Sequence, residues 1–335
     1  MKIGGNASYV ADVTSVIEVQ QVYQNSKKIN QPVYIIGDGS NLIAHDEGFT
    51  GLVVRNKIMG IHVDEDDENL TTISAGSGES WDGLVKYAVD LGLSGIEAMS
   101  GIPGTVGAAP VQNIGAYGQE LANTFVSLEA YDTQRDGMTT LNWADCKLSY
   151  RNSIFRGSEA GRYIITKVTL TLNKKQPEPP FYDAIEKYLA TNNIDRSTVT
   201  VQTIRNAVLM IREDKLPDPA KLPNAGSFFK NVIVEKWKAD DLLKTYDDLP
   251  IYPVDNDHVK VPSGWLIENV NLKGEVLHGM KVHDKNAVVL INEAATSYAD
   301  LAAARDEIIS AVRDKFQIML EQEPLELENP VASQK

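Results

Sequence analysis

Several stretches of this chain combine residue types that can bind or transform a small molecule. "IIGDGSNL" ends a β-branched run in a turn at Gly37, Asp38 and Gly39, with Ser40, Asn41 and Leu42 at its mouth. Glycine tolerates positive φ and close approach, so successive backbone N–H groups there can converge on a phosphate oxygen. The spacing is neither G-x-G-x-x-G nor a Walker loop, and a plain hairpin turn accounts for the same residues. "GIPGTVGAAPVQNIGAYG" is harder to read as an ordinary loop. Its small residues bury too little area to build a core, but they let an extended backbone pass within hydrogen-bonding distance of a flat ligand. In "LSYRNSIFR", the guanidinium of Arg151 suits a carboxylate or phosphate gripped by two parallel hydrogen bonds, although arginine is also a common surface residue. "LPNAGSFFKNVIV" sets Ser227 between a glycine and two phenylalanines, where a serine caps or ends an element more often than it transfers a proton.

Other chemistries are excluded. Cys146 is the sole cysteine, so an intramolecular disulfide and a cysteine-based zinc site are both ruled out. The histidines His45, His62, His258, His278 and His283 show no ligand spacing, and no metal is assigned. No G-x-S-x-G elbow supports Ser-His-Asp hydrolysis. With 46 acidic against 32 basic residues, the formal charge of −14 argues against a nucleic-acid partner. A phosphate-bearing ligand must then be held by local lysines, arginines and backbone N–H groups against the global field. The start "MKIGGNASYV" lacks a signal-peptide h-region, and no segment approaches the roughly 20 apolar residues of a membrane span. A cytoplasmic protein without a membrane partner is expected.

These residues need elements to position them, and 335 residues suffice for about two domains. "DVTSVIEVQQVYQNSKK" reads as a helix, with Val16, Val19, Gln20 and Tyr23 at helical spacing. Ser80 caps a second helix, "SWDGLVKYAVDLGL", closed at Gly92. A third is expected from Ser197 to Arg212, and a fourth in "TSYADLAAARDEIISAVRDKF", where Ser297 and Asp300 form a capping-box start. Strands are expected at "PVYII", "LTTISAG", "TFVSLEAYD", "YIITKVTLTLN", "NAVVLIN" and "QIML". The proline-rich "KLPDPAKLPNAG" marks the main domain boundary. "LEQEPLELE" reads by default as a solvated acidic tail.

Taken together, the motifs resemble one family, UDP-N-acetylenolpyruvoylglucosamine reductase, the flavoenzymes of bacterial cell-wall precursor synthesis. The resemblance rests on "GDGSNL" at 37–42, "SGIPGTVGAAPVQNIGAYGQE" at 100–120, "YRNSIFR" at 150–156 and "REDKLPDP" at 212–219. It continues through "NAGSFFKN" at 224–231, "SGWLIEN" at 263–269 and "VHDKNAVVLIN" at 282–292, in one order along most of the chain. It implies an α+β fold: a two-subdomain FAD-binding module of the vanillyl-alcohol-oxidase type and a C-terminal α+β substrate-binding domain. Residues 1–60 and 61–205 correspond to the FAD subdomains, with an insertion around 174–196, and 206–335 to the substrate domain.

The implied cofactor is FAD, cradled by Gly37, Asp38, Gly39, Ser40, Asn41 and Leu42. Its remaining contacts would come from Pro103, Gly104, Gly107, Ala108, Gln112, Asn113, Ile114, Ala116 and Tyr117. The run 94–120 holds no histidine or cysteine for a covalent flavin link, so FAD is expected to be dissociable. The implied reaction is hydride reduction of the enol ether of UDP-N-acetylglucosamine enolpyruvate, with NADPH as co-substrate and the protein acting as a monomer. Arg151 matches the arginine that pairs with the substrate carboxylate. Ser227 matches the proton donor, and Glu323 the glutamate that polarises the enolate, with Glu321 as fallback. Lys215 and Asn231, with Lys230 nearby, are available to the diphosphate, and Tyr182 in "PEPPFYDAIEKYL" is the counterpart of a substrate-covering tyrosine.

The chain departs from the family pattern at Pro324 and Leu325, where valine and arginine are usual, at Val232 after "FFKN", and at its loosely matching start. Two rival readings are an FAD-linked alcohol or sugar oxidase on the related fold and a nucleotide-sugar binder without turnover. The combination of Arg151, Ser227 and Glu323 speaks against the second, since a pure binder needs no proton donor.

Overall fold

The structure, a computed structural model, describes residues 1–329 and divides into two compact units. The larger takes residues 7–40 and 50–214. Its first sheet orders Ala7–Val13, Phe49–Asn56 and Val33–Ile36, the last two running parallel. Parallel neighbours require a crossover or another strand between them. In the same unit the Ser15 hydroxyl accepts from Glu18 N–H to start the helix Val16–Lys28, which buries Val19 with Val54 and Tyr131.

The second sheet of this unit is antiparallel, in the order Gly137–Asn142, Phe125–Asp132, Tyr163–Asn173, Leu70–Gly76 and Ile61–Asp66. Along Tyr163–Asn173, Val168, Leu170 and Leu172 alternate inward at the strand period of two. They share a core with Trp81, Leu84, Val85 and Ala88 of the helix Trp81–Asp90. Ser80 caps that helix as the sequence predicts, accepting from Gly83 N–H. Cys146 lies in the same core, where burial raises its thiol pKa to about 12 and keeps it an inert hydrophobe.

Asp132 ends the strand Phe125–Asp132 at 1% exposure and receives both arms of Arg162, Nε at 3.0 Å and Nη2 at 2.7 Å. The backbone N–H groups of Gln134 and Arg135 also donate to it. The Arg162 bonds, outweighing burial, hold its pKa down to about 2. A depressed carboxyl pKa contributes stability that is present above the unfolded value near 3.8 and is lost as pH falls through about 2. Asp132→Asn should therefore lose about 2 kcal/mol at neutral pH. Urea unfolding of the variant and the wild type should converge between about pH 4 and pH 2, because the wild type gives up the same contribution there.

The second unit gathers residues 1–6 and 41–49 with the chain from Lys215 onward. It carries two small antiparallel sheets. One orders Val232–Glu235, His258–Val261 and Tyr252–Pro253, and the other Val276–Leu277, Met280–Val282 and Leu290–Asn292. A parallel pair joins Leu42–Ala44 to Leu325–Leu327. Phe228, Phe229, Leu266 and Ile267 pack with Ile308, Val312 and Phe316 of the helix Tyr298–Phe316 in its core. That helix starts with the expected capping box, Ser297 and Asp300 exchanging side-chain to backbone bonds.

Three local expectations differ from the structure. The helix read from Ser197 begins instead at Val201 and runs to Lys215, preceded by a separate 3-10 turn at Arg196–Thr198. Asp195 caps the turn, whereas Thr200 and Thr203 exchange bonds at the start of the helix. "QIML" is not a strand, because Gln317 terminates the long helix in the left-handed conformation and the following residues run irregularly. The strand lies further on, at Leu325–Leu327, inside the stretch read as a solvated tail.

Candidate functional site

In the larger unit, the two small-residue motifs pack against each other. A Cβ on Gly37 would lie 2.3 Å from Thr105 Oγ1, and one on Gly104, whose φ is +114°, would lie 3.0 Å from Ser40 Oγ. Ser40 donates to the Pro103 carbonyl at 3.3 Å. Gly39 adopts φ +68° with open space beside it, while Asp38 pairs with Lys57 at 3.5 Å. A third glycine segment completes the layer: a Cβ on Gly107 would meet Ser77 Cβ at 2.5 Å, and one on Gly78 the Lys57 backbone at 2.5 Å. Ser77 is anchored through Asn56, which bonds the Ile165 carbonyl at 2.8 Å. Thr105 Oγ1 is buried and meets no hydrogen-bond partner among the described residues.

The rest of the run divides by role. Gln112 accepts from Arg156 Nη1 at 3.2 Å. Asn113 is fully buried at φ +45°; its amide donates to the Ser149 carbonyl and accepts from Ala122 N–H, so it serves the protein's own backbone. Ile114 belongs to the core, whereas Ala108 is exposed and Ala116 half-buried. Arg151, in the left-handed region at φ +51°, sends Nη2 to the Gly115 carbonyl at 2.7 Å. That bond fixes the guanidinium against the small-residue run.

Tyr117 and Tyr182 meet edge to face, with centroids 5.8 Å apart. Both line a cleft of about 520 Å³, together with Glu97, Gln119 and Phe181. Tyr182 is 43% exposed and precedes the helix Asp183–Thr191. Burial raises the Tyr117 pKa against the opposing pull of Arg212, and burial lowers that of Arg212 against Tyr117 and Asp82. Asp82 takes a two-pronged bond from Arg205 at 2.6 and 2.9 Å and accepts from Gly101 N–H at 2.6 Å. It thus ties the start of the small-residue run to the helices on either side. Thr105, Arg212 and Asp82 were not singled out from the sequence; the "SAGSG" spacing offered a signal for the glycine layer but none for them.

In the C-terminal unit, residues 224–230 form a short extended segment. Asn224 Oδ1 accepts from Gly226 N–H at 2.8 Å, and Gly226 turns at φ +72°. Ser227 bridges to Val289, and Phe228 N–H donates to the Val288 carbonyl at 2.7 Å. On the other side Glu323 N–H donates to the Phe228 carbonyl at 2.8 Å, and Lys230 N–H to Glu321. Ser227 is thus one residue from the backbone bond that holds Glu323. Glu323 is 8% exposed, while the Glu321 side chain is 73% exposed and pairs with Lys230 at 3.1 Å. Asn231 Oδ1 accepts from Ser263 N–H at 3.2 Å, at the head of the helix Ser263–Asn269, and Lys215 is exposed at its own helix end.

Comparison with known proteins matches these units to two family models. "UDP-N-acetylenolpyruvoylglucosamine reductase, C-terminal domain" covers residues 218–326, and "FAD binding domain" covers 7–140. Among curated relatives, the UDP-N-acetylenolpyruvoylglucosamine reductase of Ralstonia nicotianae is 38% identical over 95% of this chain and 93% of its own. That of Amoebophilus asiaticus is 38% identical over 96% and 94%. The chain belongs to the UDP-N-acetylenolpyruvoylglucosamine reductase family. A crystal structure of the Thermus caldophilus reductase shares the fold with a TM-score of 0.65 at 20% identity, covering 95% of this chain and 92% of that one.

As a member of this reductase family the chain is an FAD-dependent oxidoreductase of peptidoglycan precursor synthesis. The glycine layer suits the flavin: Gly37 leaves no room for a Cβ beside Thr105, Gly104 turns at φ +114° against Ser40, and the buried Thr105 hydroxyl has no hydrogen-bond partner among the described residues. No described helix is long and apolar enough to cross a membrane.

Proposed function

We propose that this chain catalyses the NADPH-dependent reduction of UDP-N-acetylglucosamine enolpyruvate to UDP-N-acetylmuramate, as a cytoplasmic monomer. Ser227 and buried Glu323 on neighbouring, hydrogen-bonded backbone carry this reading, in the unit matched to the reductase C-terminal domain. We assign residues 1–60 and 61–205 to two FAD subdomains and 206–335 to the substrate domain.

The turn 37–42 and residues of 103–117 would hold FAD non-covalently, and the flavin would supply hydride, taken from NADPH, for the vinyl carbon distal to the substrate carboxylate. Arg151 pairs with that carboxylate as negative charge spreads into it; a donor already fixed in place costs no reorganisation when charge develops. Ser227 Oγ gives its proton to the carbanionic carbon. A serine hydroxyl is a weak acid, so it must sit at contact distance and the carbon must be strongly basic. Glu323 is preferred over Glu321 for polarising the enolate, since Glu323 is 8% exposed whereas the Glu321 side chain is 73% exposed and already paired with Lys230. Lys215 and Asn231 serve the diphosphate, and Tyr182 covers the substrate at the cleft it lines with Tyr117.

The test separates the two half-reactions under anaerobic conditions. NADPH should bleach the yellow protein, and the enolpyruvyl nucleotide should restore the colour with formation of UDP-N-acetylmuramate. Bleaching without recovery on adding that nucleotide would refute the assignment.

A further inference from the structure

Glu326 lies three residues beyond Glu323, and its carboxylate is the hub of a side-chain cluster in the C-terminal unit. Its Oε1 accepts from Arg305 Nη1 at 3.0 Å and from Gln322 Nε2 at 3.0 Å. Its Oε2 accepts from the Tyr298 hydroxyl at 2.8 Å and lies 3.0 Å from His45 Nε2. The His45 and Tyr298 rings stack at 3.8 Å with planes 19° apart, so these two partners brace each other. Burial pushes the Glu326 carboxyl up, but the contacts from His45, Gln322 and Tyr298 and the Arg305 charge outweigh it and hold the pKa below its ordinary value. Glu328 and Glu47 also approach His45, each at 3.7 Å. The convergence of His45, Glu326 and Glu328 invites a metal reading. Both Glu326 oxygens are already engaged, however, Oε2 by the Tyr298 hydroxyl and Oε1 by Arg305 and Gln322, and the Arg305 guanidinium already supplies a positive charge to this carboxylate.

The hub acts on a segment whose backbone partners change at Pro324. Glu323 N–H bonds the Phe228 carbonyl, whereas Leu325 N–H bonds the Asn41 carbonyl at 3.1 Å, so the chain changes partner between the two. Pro324, at the changeover, has no N–H to contribute and restricts Glu323 to an extended conformation. Side chains supply the remaining restraint. Gln322 Nε2 donates to the Pro324 carbonyl at 3.0 Å, and Arg305 Nη1 donates to Gln322 Oε1 at 3.1 Å as well as to Glu326. Arg305 therefore grips the residue before Glu323 and the residue three after it from one point on the long helix Tyr298–Phe316.

We propose that Glu326, with Arg305 and Gln322, is a positioning group that sets where the Glu323 carboxylate is presented for the reduction. This inference rests on the role given to Glu323 above. Displacements of about 1 Å in a reacting group can cost on the order of a hundredfold in rate. In the FAD-loaded full-length protein, Arg305→Ala and Glu326→Ala should each slow flavin reoxidation by the enolpyruvyl nucleotide by about 10- to 100-fold. Flavin reduction by NADPH should stay within about twofold of wild type, because a displacement near Glu323 is costly only in the step that uses it. Arg305→Lys, which keeps the charge but not the fork, should recover part of the loss. Thermal midpoints and substrate affinity, from perturbation of the flavin spectrum, are read alongside. An equal fall in both half-reactions, or a lowered midpoint with unchanged reoxidation, overturns the proposal. Should Arg305→Ala not fold, Gln322→Ala cuts the hub's bonds to the residue before Glu323 and to the Pro324 carbonyl, leaves the Arg305–Glu326 pair in place, and is judged by the same outcomes. Glu323→Gln is the control: wild-type reoxidation there rejects the role of Glu323 itself, whereas slow reoxidation there with wild-type rates in the hub variants rejects only the hub.

Discussion

Ser227→Ala should bleach with NADPH at close to the wild-type rate and then recover its colour on the enolpyruvyl nucleotide about 10² to 10⁴ times more slowly. The range follows from removing a positioned proton donor while leaving the hydride donor untouched. The substitution is small in every structural sense. Ser227 is half-buried, and its backbone bridge to Val289 does not involve the hydroxyl. The turn before it is made by Asn224 and Gly226, and the core behind it by Phe228 and Phe229. Folding, flavin content and the first half-reaction should all survive, and stopped-flow absorbance at the flavin band distinguishes the two halves directly. Equal losses in both halves would move Ser227 to a structural or flavin-binding role. Unchanged reoxidation would hand the proton to another group, and Glu323 would be next to test.

Much of the fold was legible because its signals are local. Ser80 and Ser297 cap the helices they were expected to cap, since a serine side chain at the start of an apolar-periodic run accepts from a backbone N–H two or three residues on. The long central strand Tyr163–Asn173 announced itself by alternation and β-branched content. The failures are non-local or sit at element ends. "QIML" has strand-like residues, but strand formation needs a partner: Gln317 is spent ending the long helix, and the ladder with Leu42–Ala44 is made by Leu325–Leu327. A default solvated tail is thus a half-buried ladder, in a register that nothing within the tail specifies. The candidate site follows the same division. The motifs single out Gly37, Gly104, Arg151 and Ser227 by residue type and order, but they carry no sign that Asn113 is spent on backbone bonds to Ser149 and Ala122. Nor does the pattern that ranks Glu323 ahead of Glu321 carry the difference in environment, Glu323 being buried and Glu321 exposed and paired with Lys230. Thr105 escaped because the run that holds it is read for its glycines and its contact is with the distant Gly37, and Arg305 because an arginine on a helix is ordinary until Gln322 and Glu326 are folded against it.

Gly37→Ala should yield protein with much of its flavin missing. The added Cβ would fall 2.3 Å from Thr105 Oγ1, 3.1 Å from its Cγ2 and 3.2 Å from its Cβ, so the threonine or the turn must move. Gly37 does not use positive φ, unlike Gly39 and Gly104, so its backbone tolerates alanine and the effect is one of space alone. Overpacking costs about 1–3 kcal/mol. If that cost falls on the cofactor-bound form, FAD affinity drops by about 5- to 150-fold, at about 1.4 kcal/mol for each factor of ten. Flavin absorbance per protein after gel filtration and FAD titration of the stripped protein measure it. The double variant Gly37→Ala with Thr105→Gly separates steric from chemical causes. It removes the clash and the hydroxyl together, so the fold recovers its thermal midpoint while FAD affinity stays low, because the buried donor at position 105 is gone. Full recovery of affinity would mean that the turn was merely crowded and that Thr105 Oγ1 has no share in holding the cofactor. Wild-type affinity in Gly37→Ala alone would place the flavin pyrophosphate away from this turn.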